Sequence, residues 1–126
     1  MNLKLWDHTT YTIIKFPNNL PIPSDFHKIN DFKSITYTAE ECSIIVPEDT
    51  IDTAEALAID TGWCIIQIVG ELDFSLVGIL TQLANPLAEN NISIFAVSTY
   101  MTDFLLIKNQ DKNNALAVLK HAGHSF

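Results

Sequence analysis

The sequence predicts an α+β fold built from two related halves in tandem. Three observations support this: apolar, β-branched runs typical of strands, amphipathic runs of helical period between them, and repetition of this order along the chain. Of the 126 residues, 48% are hydrophobic and 17% are charged. This composition can fill a core and is not that of a disordered chain.

The second half carries the clearer signals. The run Trp63–Val69 is almost continuously apolar, which is typical of a strand covered on both faces. From Asp73 onward the apolar period becomes helical, and the side chain of Asp73 or Ser75 can cap that helix. Four further elements are then predicted: strands over 92–97 and 104–108, a helix that Asp111 caps and Gly123 ends, and a short strand over 124–126. This order is the ferredoxin-like βαββαβ arrangement.

The first half repeats this order of strands and helices less completely. Tyr11–Phe16 matches the strand that begins at Trp63, and Ser43–Val46 matches the later strand over 104–107. Ala54–Ala58 aligns with residues 115–119 of the final helix. A leading strand, Leu3–Trp6, is expected to form a hairpin with Tyr11–Phe16.

The offset between matched segments of the two halves is about nine residues larger for the later matches than for the first one. The first unit is therefore predicted to have lost about two turns of its first helix. A proline-rich loop, Pro17–Pro23, stands in its place and is followed by one turn over Ser24–His27. The predicted organisation is therefore two ferredoxin-like units, 1–61 and 62–126, the first with a shortened first helix.

Charge and composition argue against several classes of function. Fifteen acidic residues face seven basic ones, all of them lysine, for a formal net charge of −8. Such a balance disfavours nucleic-acid binding, which depends on neutralising phosphates. No run approaches the roughly 18 apolar residues that span a bilayer, and no signal peptide is evident. Cys42 and Cys64 lie in apolar runs and are interpreted as core residues in a reducing compartment, so a cytoplasmic location is expected.

Three segments, 70–80, 86–89 and 92–103, closely resemble the ACT-domain proteins related to the CASTOR arginine sensors. The resemblance is dense over about residues 63–124 and looser before them. It implies tandem ACT units without a catalytic domain, which bind a small amino acid at an interface between units. It places the ligand against the start of the helix, at Asp73, Phe74, Ser75 and Leu76, and against the hairpin from Ser98 to Asp103. No cofactor is implied, and a homodimer through sheet or helix faces is a possible assembly.

The residues themselves suggest how such a ligand is held. Because the chain has no arginine, free backbone N–H groups at the helix start are the best partners for a ligand carboxylate. Gly78 would let a ligand approach, Asp103 would meet an ammonium or a basic side chain, and Ser98 and Thr99 offer hydroxyl groups. Negative charge on Asp73 and its neighbour at 71 would repel a ligand carboxylate, which favours a cationic amino acid.

Each of these residues also has a purely structural interpretation. Asp73 can serve only as a helix cap, and Asp103 can serve only to close a turn. Gly78, within the predicted helix, is explained equally well by tight packing of helix on sheet. Ser98 and Thr99 can be strand-end hydroxyls bonded to the backbone.

Two other functions stay open on the sequence. One is a protein-interaction or oligomerisation module without a ligand, since both faces of the strand at Trp63 are apolar. The other is a small thiol enzyme that pairs Cys64 with His124, although a cysteine within an apolar strand should be inert. No cysteine completes a zinc pattern and no phosphate-binding loop is present, so a non-enzymatic protein without metal is predicted.

Overall fold

The computed structural model describes residues 1–69 and 78–126. These residues form two compact units: Thr9–Gly62, called the N-terminal unit below, and Met1–His8 together with Trp63–Phe126, called the C-terminal unit. The division predicted from the sequence is two continuous segments, 1–61 and 62–126. In the structure the first eight residues pack with the C-terminal half instead.

Six strands, two α-helices and two single turns of 3₁₀ helix make up the described chain. In order they are β1 (Leu3–Phe16), a turn at Phe26–Lys28, β2 (Ser34–Tyr37), β3 (Cys42–Pro47), β4 (Ala58–Ile68), α1 (Ile79–Glu89), β5 (Ile94–Ser98), β6 (Asp103–Lys108), a turn at Asn109–Asp111, and α2 (Lys112–His121). The strand pairs β1–β3, β2–β3, β4–β6 and β5–β6 are antiparallel. The α+β class and the strand, helix, strand, strand, helix order of the second half are confirmed.

The expected hairpin at the start of the chain is wrong, because β1 is one strand of 14 residues. It runs from one unit into the other, and so does β4. The two strands are antiparallel: Val69 N donates to Asn2 O at 2.9 Å, and Leu57 N donates to Lys15 O at 2.7 Å. Extended, threonine-rich backbone joins the two segments that the sequence suggested were separate strands.

The C-terminal unit has the strand order β1-β4-β6-β5. One face of this sheet packs against both α-helices. The buried side chains of that core are Leu3, Cys64, Ile66, Ile68, Leu83, Leu87, Ile92, Leu105, Ile107, Ala115 and Leu119. Since side chains alternate along a strand, Trp63, Ile65 and Leu106 point to the opposite face, and they are buried as well.

The first residues of β1 are tied to the last residues of the chain. Leu3 N donates to Ser125 O at 2.7 Å, and Ser125 N donates to Met1 O at 3.0 Å. The hydroxyl of Ser125 donates to Asn2 Oδ1 at 2.6 Å. The short strand predicted over 124–126 is therefore a single parallel bridge between Asn2 and Ser125.

The N-terminal unit has the strand order β2-β3-β1-β4 and a smaller core. Six buried side chains form that core: Ile14, Phe16, Phe26, Cys42, Ile44 and Val46. Loops rather than α-helices cover it. The predicted turn forms at Phe26–Lys28 and receives no side-chain cap from Asp25.

The alignment of Ala54–Ala58 with the final helix does not correspond to a helix in the structure. Residues 54–57 form a turn and loop, and Ala58 begins β4. Leu57 is 61% exposed, whereas Leu119 of α2 is fully buried. A five-residue helix without a buried apolar stripe gains too little packing energy to offset the unfavourable free energy of helix nucleation.

A partly buried hydrogen bond fixes the loop that precedes β2. The Tyr11 hydroxyl donates to Asp31 Oδ1 at 2.6 Å, and the same oxygen accepts from Phe32 N at 2.6 Å. Burial, together with the Asp31 carboxylate, raises the pKa of the Tyr11 phenol well above its ordinary value. The phenol therefore remains a neutral donor across the physiological pH range.

Candidate functional site

The hairpin between β5 and β6 holds three of the predicted site residues. Ser98 and Asp103 are the last paired positions of the two strands. The Ser98 hydroxyl donates to Asp103 Oδ1 at 2.5 Å, so one carboxylate oxygen has a fixed neighbour. Thr99 N donates to Thr102 O at 2.9 Å and closes the turn. The Thr99 hydroxyl donates to the same carbonyl at 3.2 Å, which is the structural role foreseen for it.

Thr102, which the sequence analysis did not single out, fastens this hairpin to β4. Its side chain is buried, and its hydroxyl donates to Ile68 O at 2.9 Å. The pairing of Gln67 with Phe104 brings the two strands to this same end of the sheet. A threonine in a hairpin turn carries no local signal of this role, because its partner lies 34 positions away.

Gly78 lies immediately before α1 and not within a helix interior. Its backbone is left-handed, with φ of 73°, and it occupies the N-cap position of α1. Its carbonyl accepts from the Thr81 hydroxyl at 2.7 Å. Among the described residues, a Cβ placed here would meet Thr81 Oγ1 alone, at 3.5 Å, so tight packing against the sheet is not the reason for this glycine. The positive φ is the reason.

The other predicted site residues, Asp73, Phe74, Ser75 and Leu76, lie outside the described residues. The end of β4 and the start of α1 border the segment that contains them. Because β4 and β5 both pair antiparallel with β6, the end of β4 and the β5–β6 turn lie at one end of the sheet. Predicted residues Ser98, Thr99 and Asp103 therefore lie at the sheet end from which the chain leads toward Asp73.

The exposed tip of the hairpin consists of two large apolar side chains. Tyr100 is 76% exposed and Met101 is 58% exposed. The Asp103 side chain beside them is only partly exposed. The turn thus presents a carboxylate, a hydroxyl and apolar surface close together.

The pairing of Cys64 with His124 is wrong. The Cys64 thiol is fully buried and donates to Ile107 O at 3.4 Å. Burial raises the pKa of this thiol, which keeps it in the unreactive protonated form. The two ring nitrogens of His124 lie 3.0 Å from the Met1 amine and 3.1 Å from Gln82 O.

Within residues 1–69 and 78–126, His, Cys, Asp and Glu form no group of three or more that could hold a metal ion. None of the helices described is both long enough and apolar enough to cross a membrane.

The fold and hairpin together define a class: an α+β unit with an antiparallel sheet, two helices on one face, and candidate ligand groups at one sheet end. Comparisons with known proteins agree with this class. The family model described as "ACT domain" matches residues 58–121, just over half of the chain. This chain belongs to the ACT domain family.

Two curated relatives cover part of the chain. It is 36% identical over 91 residues to CASTOR3P of Homo sapiens, covering 64% of this chain and 56% of that protein. It is 30% identical over 88 residues to the cytosolic arginine sensor for mTORC1 subunit 1 of Rattus norvegicus, covering 64% of this chain and 27% of the sensor. The chain thus spans about half and about a quarter of the length of these relatives.

A solved structure covers nearly the whole chain. Protein Atu0741 of Agrobacterium tumefaciens superimposes with a TM-score of 0.88 at 33% identity, over 98% of this chain and 90% of that one. The fold is therefore shared beyond the segment that the family model matches. The resemblance to ACT-domain proteins related to the CASTOR sensors is confirmed.

Proposed function

We propose that this chain is a non-enzymatic, cytoplasmic regulatory protein that binds a small amino acid at an interface between ACT units. Its two halves are proposed to be ACT units in tandem, the first degenerate, and a homodimer is the proposed assembly. Family membership supports a regulatory role. The rat relative is named as a cytosolic arginine sensor, which supports both the location and an amino-acid ligand.

The observation that carries the proposal is the Asp103 carboxylate. Ser98 occupies one oxygen of this carboxylate, at 2.5 Å, and thereby orients the other for a ligand. Thr102 fixes the turn to β4, so little conformational freedom is lost when a ligand binds. A carboxylate on a preformed turn is a partner for an ammonium or a guanidinium group.

The ligand carboxylate requires a second partner, and the chain contains no arginine to supply one. We assign this role to backbone N–H groups of the segment that contains Asp73, Phe74, Ser75 and Leu76, just before Gly78 and α1. Glycine at the start of α1 fits a chain that must turn sharply there. The carboxylate of Asp73 would repel a second acid, so arginine or lysine is the proposed ligand rather than aspartate or glutamate.

A thermal-shift series tests this function. The protein is heated with L-arginine, L-lysine, L-glutamate or L-leucine, each at millimolar concentration and equal ionic strength. A ligand at a hundred times its Kd adds about 2.7 kcal/mol to the free energy of unfolding. For a protein of this size that corresponds to a rise of several degrees in Tm. Arginine or lysine is expected to give this rise, and glutamate is expected to give none.

An unchanged Tm in this series, and in its extension to all twenty amino acids, would contradict ligand binding. It would favour the alternative, a protein-interaction module without a ligand. A rise with glutamate that equals the rise with arginine would contradict the cationic preference while leaving the regulatory function in place.

A further inference from the structure

An open groove in the N-terminal unit lies between two loops, one that follows β1 and one that precedes β4. Its volume is about 330 Å³, near the lower end of the roughly 300–1,000 Å³ typical of ligand pockets. Five apolar residues line it: Phe16, Leu20, Pro21, Ile22 and Pro23. Phe16 is buried beneath the others, whereas Ile22 is 44% exposed.

The wall formed by the first loop is held in place by several hydrogen bonds. The Tyr37 hydroxyl donates to Leu20 O at 2.5 Å, and Phe26 N donates to Pro23 O at 3.0 Å. The side-chain amide of Asn18 donates to Ala39 O at 2.7 Å. With prolines also fixing φ along the loop, the groove is preformed, which lowers the entropic cost of binding.

Three carboxylates surround this apolar surface: Asp25, Asp52 and Glu55. Asp52 Oδ1 accepts from Ala54 N at 2.9 Å, which orients its carboxylate. Asp25 lies 3.5 Å from Lys28, but both side chains are largely exposed, so this pair contributes little. Among the described residues, those that line the groove include no lysine or histidine. The apolar surface with its acidic rim is therefore complementary to a chain segment that carries both apolar and cationic side chains.

We propose that this groove docks a segment of another protein that presents an apolar side chain next to a lysine or arginine. The apolar side chain lies against Ile22 and Leu20, and the cation lies at the carboxylates of Asp52 and Glu55. A free amino acid fits less well, because its carboxylate would meet the like charges of Asp52 and Glu55, and no cation is among the described residues of the lining. A peptide segment has no such carboxylate.

Fluorescence anisotropy with a labelled, capped decapeptide of alternating lysine and leucine tests the proposal on the full chain. The double variant Asp52→Asn, Glu55→Gln is expected to weaken binding about tenfold. Asparagine keeps the oxygen that accepts from Ala54 N, so the loop is preserved. Ile22→Ser is expected to weaken binding at least threefold. The control, Glu40→Gln with Glu41→Gln, removes the same charge outside the groove and should change Kd less than twofold.

Three results would overturn the docking proposal. Equal weakening by the control variant would mean that the peptide responds only to net charge. Equal affinity for a decapeptide of alternating lysine and serine would show that the apolar contact does not contribute to binding. Displacement of the peptide by an equal concentration of putrescine would assign the groove to a free diamine. None of these results bears on the Asp103 site, which lies in the other unit.

Discussion

Removal of Met1–His8 is expected to abolish the helical structure of the C-terminal unit. These residues supply a strand beside β4, and Leu3 lies in the core with Leu5 packed against it. Losing one buried leucine alone costs about 2–5 kcal/mol, and the ladder bonds to β4 and Ser125 are lost as well. The total approaches the whole stability of a small domain, about 5–15 kcal/mol.

Circular dichroism at 222 nm reports on this unit, because both α-helices in the described ranges 1–69 and 78–126 belong to it. The protein of residues 9–126 is expected to lose most of that signal. Adding a peptide of residues 1–8 should restore it in a concentration-dependent manner, whereas a scrambled peptide of the same composition should not. Full helical signal and an unchanged unfolding midpoint in the truncated protein would show that the N-terminal strand is dispensable.

Asp103→Asn is expected to weaken arginine binding about 10- to 100-fold, measured by isothermal titration calorimetry. A hydrogen bond between a charged pair contributes about 1.5–3 kcal/mol, which sets this range. Asparagine retains the oxygen that accepts from the Ser98 hydroxyl, so the hairpin should keep its conformation. The loss of affinity would then reflect the carboxylate charge and not a disordered turn.

Glu89→Gln is the matched control for this variant. Glu89 is an exposed acid at the far end of α1 in the same unit, and its substitution changes the net charge equally. We expect it to bind arginine with a Kd within twofold of the parent. If Asp103→Asn behaved like this control, Asp103 would have no role in the site.

Local patterns predicted the C-terminal elements well. The apolar run at Trp63, the final helix between Asp111 and Gly123, and the hairpin strands all depend on neighbouring residues. Their predicted bounds differ from the observed ones by five residues or fewer, the largest difference being at the start of β4. The pairing of residues 1–8 with this half could not be predicted in the same way. It depends on contacts such as Asn2 with Val69 and Leu3 with Ser125, which connect opposite ends of the sequence.

In the candidate site, too, some features depend on neighbouring residues and others depend on residues far apart in the sequence. The resemblance to ACT-domain proteins placed the ligand at the hairpin from Ser98 to Asp103, and the structure brings the hydroxyl and the carboxylate at its two ends into contact. The role of Thr102 depends on a carbonyl of β4, so it has no local signature. Gly78 was placed inside a helix because the apolar period continues through it, whereas its positive φ marks the start of α1.

The most direct test of the account is an amide NMR titration of the ¹⁵N-labelled full chain with L-arginine. The central claim is that arginine binds at the sheet end where the β5–β6 turn meets β4 and the start of α1. The largest shift changes are expected at Ser98–Asp103, at Ile68 and Val69, and at Gly78. Saturable changes confined to Thr9–Gly62, or no saturable change at millimolar arginine, would contradict the claim.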